Sequence, residues 1–180
     1  MAKRESLAWA AGIATLLFAR ASLADHYQVP SGSMRPTVEV GDHIVVNKLA
    51  FGLRAPMSNA YLLRGADPTR GDVVVLDSPE DGTVLLKRVV AIPGDVVSVQ
   101  GGEVELNGRR APRTYAIRHD GDGGPDFGPL TLPPDAYLVL GDNRGDSRDG
   151  RVFGLVARQA VLGRAVGVVW RNGGPLWRPL

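Results

Sequence analysis

The chain has no cysteine. That removes disulfides, thiolate metal sites and a cysteine nucleophile together, and it leaves the redox compartment open. Histidine is scarce too. His26, His43 and His119 lie far apart, with no H-E-x-x-H or comparable ligand spacing, so neither a metal site nor a cofactor is expected. Charge of one sign is also lacking: the formal net charge is +2 and there is no basic run, which argues against a nucleic-acid partner. No internal repeat or low-complexity tract breaks the 180 residues, a length that suits one domain with a real core.

Long apolar runs are absent except at the start. Lys3 and Arg4 precede an apolar stretch from Leu7 to Ala19, which Arg20 interrupts and Ala21 to Ala24 weakly extends. Three readings stand. As a membrane helix the run is short against the usual ~20 residues, but Ser6 to Ala24 nearly suffices if Arg20 snorkels. As a secretory signal it has a basic start and a small-residue end at Ser22-Leu23-Ala24. As a buried soluble helix it lacks a polar face. The expectation is a membrane anchor over 1–24, with Lys3 and Arg4 cytoplasmic and residues 25–180 exported.

Glycine and proline, 23 and 13 of them, are plentiful. They cut the chain into short pieces, which favours a mostly-β fold with many turns. β-Branched runs at His43 to Asn47, Val73 to Leu76, Thr83 to Ile92, Val96 to Gln100, Tyr137 to Leu140 and Val161 to Trp170 read as strands. Asn107-Gly108 after Glu103-Val104-Glu105-Leu106 signals a type I′ hairpin. Residues 48–67 read as a long irregular connection, 109–134 as an exposed loop and 141–154 as a charged turn. Asp120-Gly121-Asp122 hints at a calcium loop, but Gly124 and Pro125 break that pattern.

The chemistry gathers in Pro30-Ser31-Gly32-Ser33-Met34-Arg35-Pro36-Thr37. Two prolines fix φ, a glycine permits a sharp corner, and the product is a stiff turn presenting a hydroxyl beside free N–H groups. A nucleophilic serine needs that combination. An ordinary Ser/Gly/Pro loop has the same composition. A serine also needs a base. Lys87 sits in the apolar strand Thr83 to Ile92, where alternation puts Leu85, Lys87 and Val89 on one face and Arg88 on the other. Desolvation there would lower its pKa; on a solvent face it would merely snorkel.

Four blocks together resemble bacterial type I signal peptidases. They are Pro30-Ser31-Gly32-Ser33-Met34-x-Pro36-Thr37, Arg70-Gly71-Asp72-Val73-Val74, Lys87-Arg88-Val89-Val90-x-x-Pro93-Gly94-Asp95, and Gly141-Asp142-Asn143-Arg144-x-x-Ser147-x-Asp149-x-Arg151-x-x-Gly154. They occur in the family's order from near residue 27 to near residue 170. The resemblance implies Ser33 as nucleophile and Lys87 as general base. It implies that Ser31 joins the Ser33 N–H in the oxyanion hole and that Ser147 orients the lysine. It further implies Asp149 and Arg151 as a bracing ion pair, Asp142 and Arg144 as polar supports, and Val29, Met34, Val38 and Leu86 as pocket lining. A carboxylate touching Lys87 would raise its pKa, so Asp149 is expected to pair with Arg151 and not with Lys87.

The expected protein is therefore a membrane-anchored serine endopeptidase that removes signal peptides from exported preproteins with small residues before the cleaved bond. The expected fold is mostly β: antiparallel sheets forming a partly open, barrel-like catalytic domain over 25–180, with a small hairpin and loop insertion at 100–136, preceded by one short N-terminal helix. Its expected partners are preproteins and membrane lipid, in the plasma membrane with the catalytic domain on the outer face. The alternatives are a related Ser–Lys peptidase with one dedicated substrate and a non-catalytic exported β module.

Overall fold

The computed structural model describes Trp9 and residues 24–55, 60–112 and 123–180. The anchor expected over 1–24 and the Asp120-Gly121-Asp122 triplet therefore lie outside the described residues, except for Trp9 and Ala24. Among the described residues no helix is long and apolar enough to cross a membrane.

The described residues form fourteen strands in chain order: β1 Ala24–Gln28, β2 His43–Asn47, β3 Gly52–Arg54, β4 Tyr61–Arg64, β5 Val73–Asp77, β6 Val84–Ala91, β7 Val96–Gln100, β8 Glu103–Leu106, β9 Arg109–Arg110, β10 Phe127–Thr131, β11 Ala136–Leu140, β12 Val156–Ala157, β13 Val161–Arg171 and β14 Gly174–Pro179. One helical turn, α1 Gly150–Phe153, interrupts them late in the chain. The main sheet is antiparallel in the order β1-β2-β13-β5-β6-β11-β12, with β14 on β13; a second sheet runs β10-β7-β8-β9, and β3-β4 forms a separate hairpin.

β5 shows why the sheet is buried on both sides. Val73 and Val75 pack into a cluster with Val29, Met34, Val38, Ile44 and Val46, while Val74 and Leu76 pack into another with Phe51, Val89, Tyr137 and Val139. A strand covered on both faces has no place for polar alternation, which is why Val73 to Leu76 reads as an unbroken apolar run. A third cluster joins the second sheet, through Val97, Val99, Val104 and Leu106, to Val90, Ala91, Leu138 and Leu140 of the main one.

The main sheet also curls. β1 and β6 are separated by β2, β13 and β5, which in a flat sheet would hold them roughly 19 Å apart at ~4.8 Å per strand. Yet Tyr27 and Gln28 at the end of β1 line the same cleft as Leu85 and Leu86 of β6. The result is a mostly-β half-barrel whose open side is that cleft.

Three stretches depart from expectation. The irregular connection 48–67 contains the β3–β4 hairpin, tied to the barrel where the guanidinium of Arg158 lies over the Tyr61 ring at 4.7 Å, with that of Arg54 also over it at 4.4 Å. The loop expected over 109–134 supplies β9 and β10. β10 contains Gly128 and Pro129, turn-formers by composition, and they are tolerated because β10 is an edge strand whose register with β7 slips there. The charged turn 141–154 contains α1, capped by the Asp149 carboxylate on the N–H of Arg151. The Asn107-Gly108 hairpin forms as expected, with φ of 53° and 74°.

Candidate active site

The turn that carries Ser33 is held from below. Met34 and Val38 are sunk in the core, the Arg35 N–H donates to Gly32 O at 3.0 Å, and the Val38 N–H donates to Met34 O at 3.0 Å. Two apolar plugs and two turn hydrogen bonds leave Ser33 little freedom; it is 9% exposed.

Lys87 arrives from β6, where it is paired opposite Val74, itself fully buried. Lys87 is 3% exposed, and its Nζ is hydrogen-bonded to Ser33 Oγ at 2.8 Å. Burial lowers its pKa from 10.5 to about 8; Asp149 and Asp142 act from a distance in the opposite direction. Both carboxylates are engaged elsewhere. Asp149 accepts Nε and Nη2 of Arg151 at 2.8 and 2.9 Å, and also the Gly141 N–H at 2.9 Å. Asp142 accepts Nε and Nη2 of Arg88 at 2.8 and 2.7 Å, and the Thr37 hydroxyl at 2.6 Å. Among the described residues Lys87 makes no ion pair. An amine so placed is neutral over a large fraction near pH 8, and in that state its lone pair can accept the Ser33 proton.

Ser31 Oγ stands 3.3 Å from Ser33 Oγ, on the exposed side of the turn. Arg144 is buried, donates to Gly141 O and Gly102 O, and is pulled by that burial down to about 10. Gly141 is glycine for a steric reason: a Cβ there would lie 2.2 Å from Ser147 Oγ and 2.5 Å from Ser33 O.

Two expected positions do not make the expected contacts. Ser147 does not hydrogen-bond Lys87: its Oγ is buried against Gly141 and has no partner among the described residues. Val38 does not line the cleft, because it is fully buried in the core beneath the turn. Val29, Met34 and Leu86 do line it, in a cleft of about 410 Å³ that Ser33 and Lys87 line as well. Tyr27, Ile44, Val75 and Leu85 also line the apolar wall, and sequence reasoning did not find them. Nor did it find Arg88 or Thr37 as partners of Asp142. Arg88 follows Lys87 directly, so the opposite-face argument could have placed it, but nothing in the sequence says which carboxylate it meets.

A serine hydroxyl against a desolvated lysine, in the wall of an apolar cleft, defines a hydrolase class that works through a hydroxyl nucleophile without histidine. Residues 3–170 match the family described as "Signal peptidase, peptidase S26". The chain belongs to that family, and it is a peptidase. It is 34% identical over 158 residues to "Probable signal peptidase I-2" of Synechocystis sp., 35% over 161 residues to signal peptidase I of Leptolyngbya laminosa, and 33% over 195 residues to signal peptidase I of Pseudomonas fluorescens. These matches cover 84%, 84% and 87% of this chain and 65%, 71% and 68% of the relatives. A crystal structure of a signal peptidase I from Enterococcus faecalis is similar over 55% of this chain and 97% of its own, at 29% identity and a TM-score of 0.46. The family is membrane-associated.

Proposed function

We propose that this protein is a serine endopeptidase that removes N-terminal signal peptides from exported preproteins, with Ser33 as nucleophile and Lys87 as general base. The observation that carries the reading is the 2.8 Å hydrogen bond between Lys87 Nζ and Ser33 Oγ in a buried setting. Ser33 Oγ adds to the scissile carbonyl carbon as its proton passes to Lys87. The oxyanion meets the Ser33 N–H and the Ser31 hydroxyl. The C–N bond then breaks as Lys87 returns the proton to the leaving amine, and water, deprotonated by the same lysine, clears the acyl-enzyme.

Asp142, Arg144, Asp149 and Arg151 serve as supports of the 141–154 loop. Val29, Met34 and Leu86 accept small residues before the cleaved bond, and the apolar lining of the cleft supports that preference. The catalytic unit is 25–180, with 100–136 as its accessory insertion. Residues 1–24 anchor it by a single pass, placing the catalytic domain against lipid on the outer face of the plasma membrane.

The test is incubation of the detergent-solubilised protein with a panel of preproteins carrying Ala-x-Ala sites and with variants bearing Phe or Tyr at either alanine. Cleavage directly after the second alanine is expected, with bulky residues at either position lowering kcat/KM at least about a hundredfold. Failure to cleave any of the panel would overturn the reading. Cleavage of a single member would restrict it to one dedicated substrate.

A further inference from the structure

Asn143 has a geometry that neither the serine–lysine pair nor the loop's ion pairs require. It precedes the 3-10 turn Arg144–Asp146, where an asparagine side chain ordinarily accepts a hydrogen bond from a backbone N–H of the turn. Here it makes no such cap. Its Nδ2 donates instead to Gly32 O at 3.3 Å, and its backbone N–H donates to Ser33 O at 3.0 Å. One residue thus holds the carbonyls of both peptide units that flank the Ser33 α-carbon. Its own position is fixed on either side, because Asp142 is held by Arg88 and Thr37, and Arg144 by Gly141 O and Gly102 O.

The first of those two units matters most. The peptide joining Gly32 to Ser33 carries the N–H that faces the oxyanion. In a planar trans peptide the C=O and N–H point in opposite directions, so a donor that fixes the C=O also aims the N–H. A hydrogen bond accepted at the C=O polarises the amide and strengthens its N–H as a donor. Gly32 O takes a second bond from the Arg35 N–H at 3.0 Å, so the unit is held from two sides. The Ser33 N–H itself has no acceptor among the described residues. It is a donor held in place and not yet used.

We propose that Asn143 is a positioning residue of the oxyanion hole, acting through the Gly32–Ser33 peptide and not through substrate. The inference rests on the reading of Ser33 as nucleophile. Its contribution grows as negative charge forms on the carbonyl oxygen, so it belongs to kcat and not to KM.

The experiment compares wild type with Asn143→Ala, which keeps the backbone bond to Ser33 O and removes only the side-chain donor. Five quantities are measured on an Ala-x-Ala peptide series: kcat, KM, the pH profile of kcat/KM, the affinity of the peptide aldehyde and the affinity of the corresponding peptide alcohol. The aldehyde forms an Oγ–C bond with Ser33 as its C=O π bond opens to an oxyanion and the serine proton passes to Lys87. The alcohol binds the same cleft without any such oxygen.

A fall in kcat of about tenfold to a hundredfold is expected. KM should stay within about twofold, aldehyde affinity should fall by the factor seen in kcat, and alcohol affinity and the acid limb of the pH profile should not move. If Asn143→Ala does not fold, Asn143→Ser, whose hydroxyl is too short to reach Gly32 O, carries the same expectations. Undiminished aldehyde affinity, an equal loss for the alcohol, or a shifted acid limb overturns the assignment. A wild-type protein that forms no aldehyde adduct at Ser33 overturns the nucleophile reading and this inference with it. A wild-type adduct that the variant binds equally well overturns the role of Asn143 alone.

Discussion

Lys87→Met should lower kcat/KM on a preprotein substrate by about four to six powers of ten, and Ser33→Ala by a similar amount. The two groups act as one unit, so the double variant should be no worse than either single one. Methionine fills the volume of the lysine stem without its nitrogen, so the cleft keeps its shape and the Ser33 hydroxyl keeps its proton. The same substitution should raise stability at pH 7. The Lys87 pKa is about 8 in the folded protein and 10.5 when unperturbed, so the unfolded chain binds the extra proton between those values. Stability therefore rises with pH from about 8 to 10.5, and below that window the buried ammonium costs the native state on the order of 3 kcal/mol. Lys87→Met removes that cost, and the advantage should vanish above pH 10.5. Kinetics on purified preprotein and urea unfolding across pH check both halves. An active methionine variant would remove Lys87 from the mechanism.

Asp142→Ala should have the largest effect on stability, a loss of about 3–5 kcal/mol. Asp142 is fully buried and accepts a bidentate pair from Arg88, which is 5% exposed, together with the Thr37 hydroxyl. Its removal leaves the Arg88 guanidinium with Gly71 O and no counter-charge in a place water does not reach. A native state typically holds only about 5–15 kcal/mol in reserve, so the variant should express poorly or unfold at low denaturant. The double replacement Arg88→Met with Asp142→Leu should recover a large part of the loss, because it removes both charges at once. Denaturant titration at pH 7 measures this; a single-variant loss below about 1 kcal/mol would mean that the pair is solvated.

The β5 strand was legible because burial on both faces of the sheet leaves little choice of composition, and Val73 to Leu76 reads as an unbroken apolar run. The Asn107-Gly108 turn was legible because its φ values exclude most residues. The serine turn and Lys87 were legible as residue types in an order, and the structure joins them at 2.8 Å. What stayed hidden depends on side chains meeting across long stretches of chain. Ser147 was expected to hold the lysine, and its Oγ has no hydrogen-bond partner among the described residues. Val38 was expected in the cleft and is a core plug, because a small apolar residue reads the same in either place. Tyr27 and Ile44, on β1 and β2, share the cleft with β6 because the sheet curls, and curl is not written in any local pattern. β10 was hidden by its own Gly-Pro pair, which an edge strand can carry and a central one cannot.

The central claim is that the Lys87 amine is a neutral base at working pH. Lys3, Lys48 and Lys87 are the lysines of the chain, so carbon-13 labelling of lysine gives a spectrum simple enough to assign by comparison with Lys87→Met. Following the Lys87 Cε shift against pH should give a midpoint near 8, matched by the acid limb of kcat/KM. A midpoint at or above 10.5, with the amine still charged where the protein cleaves its substrate, would contradict the account.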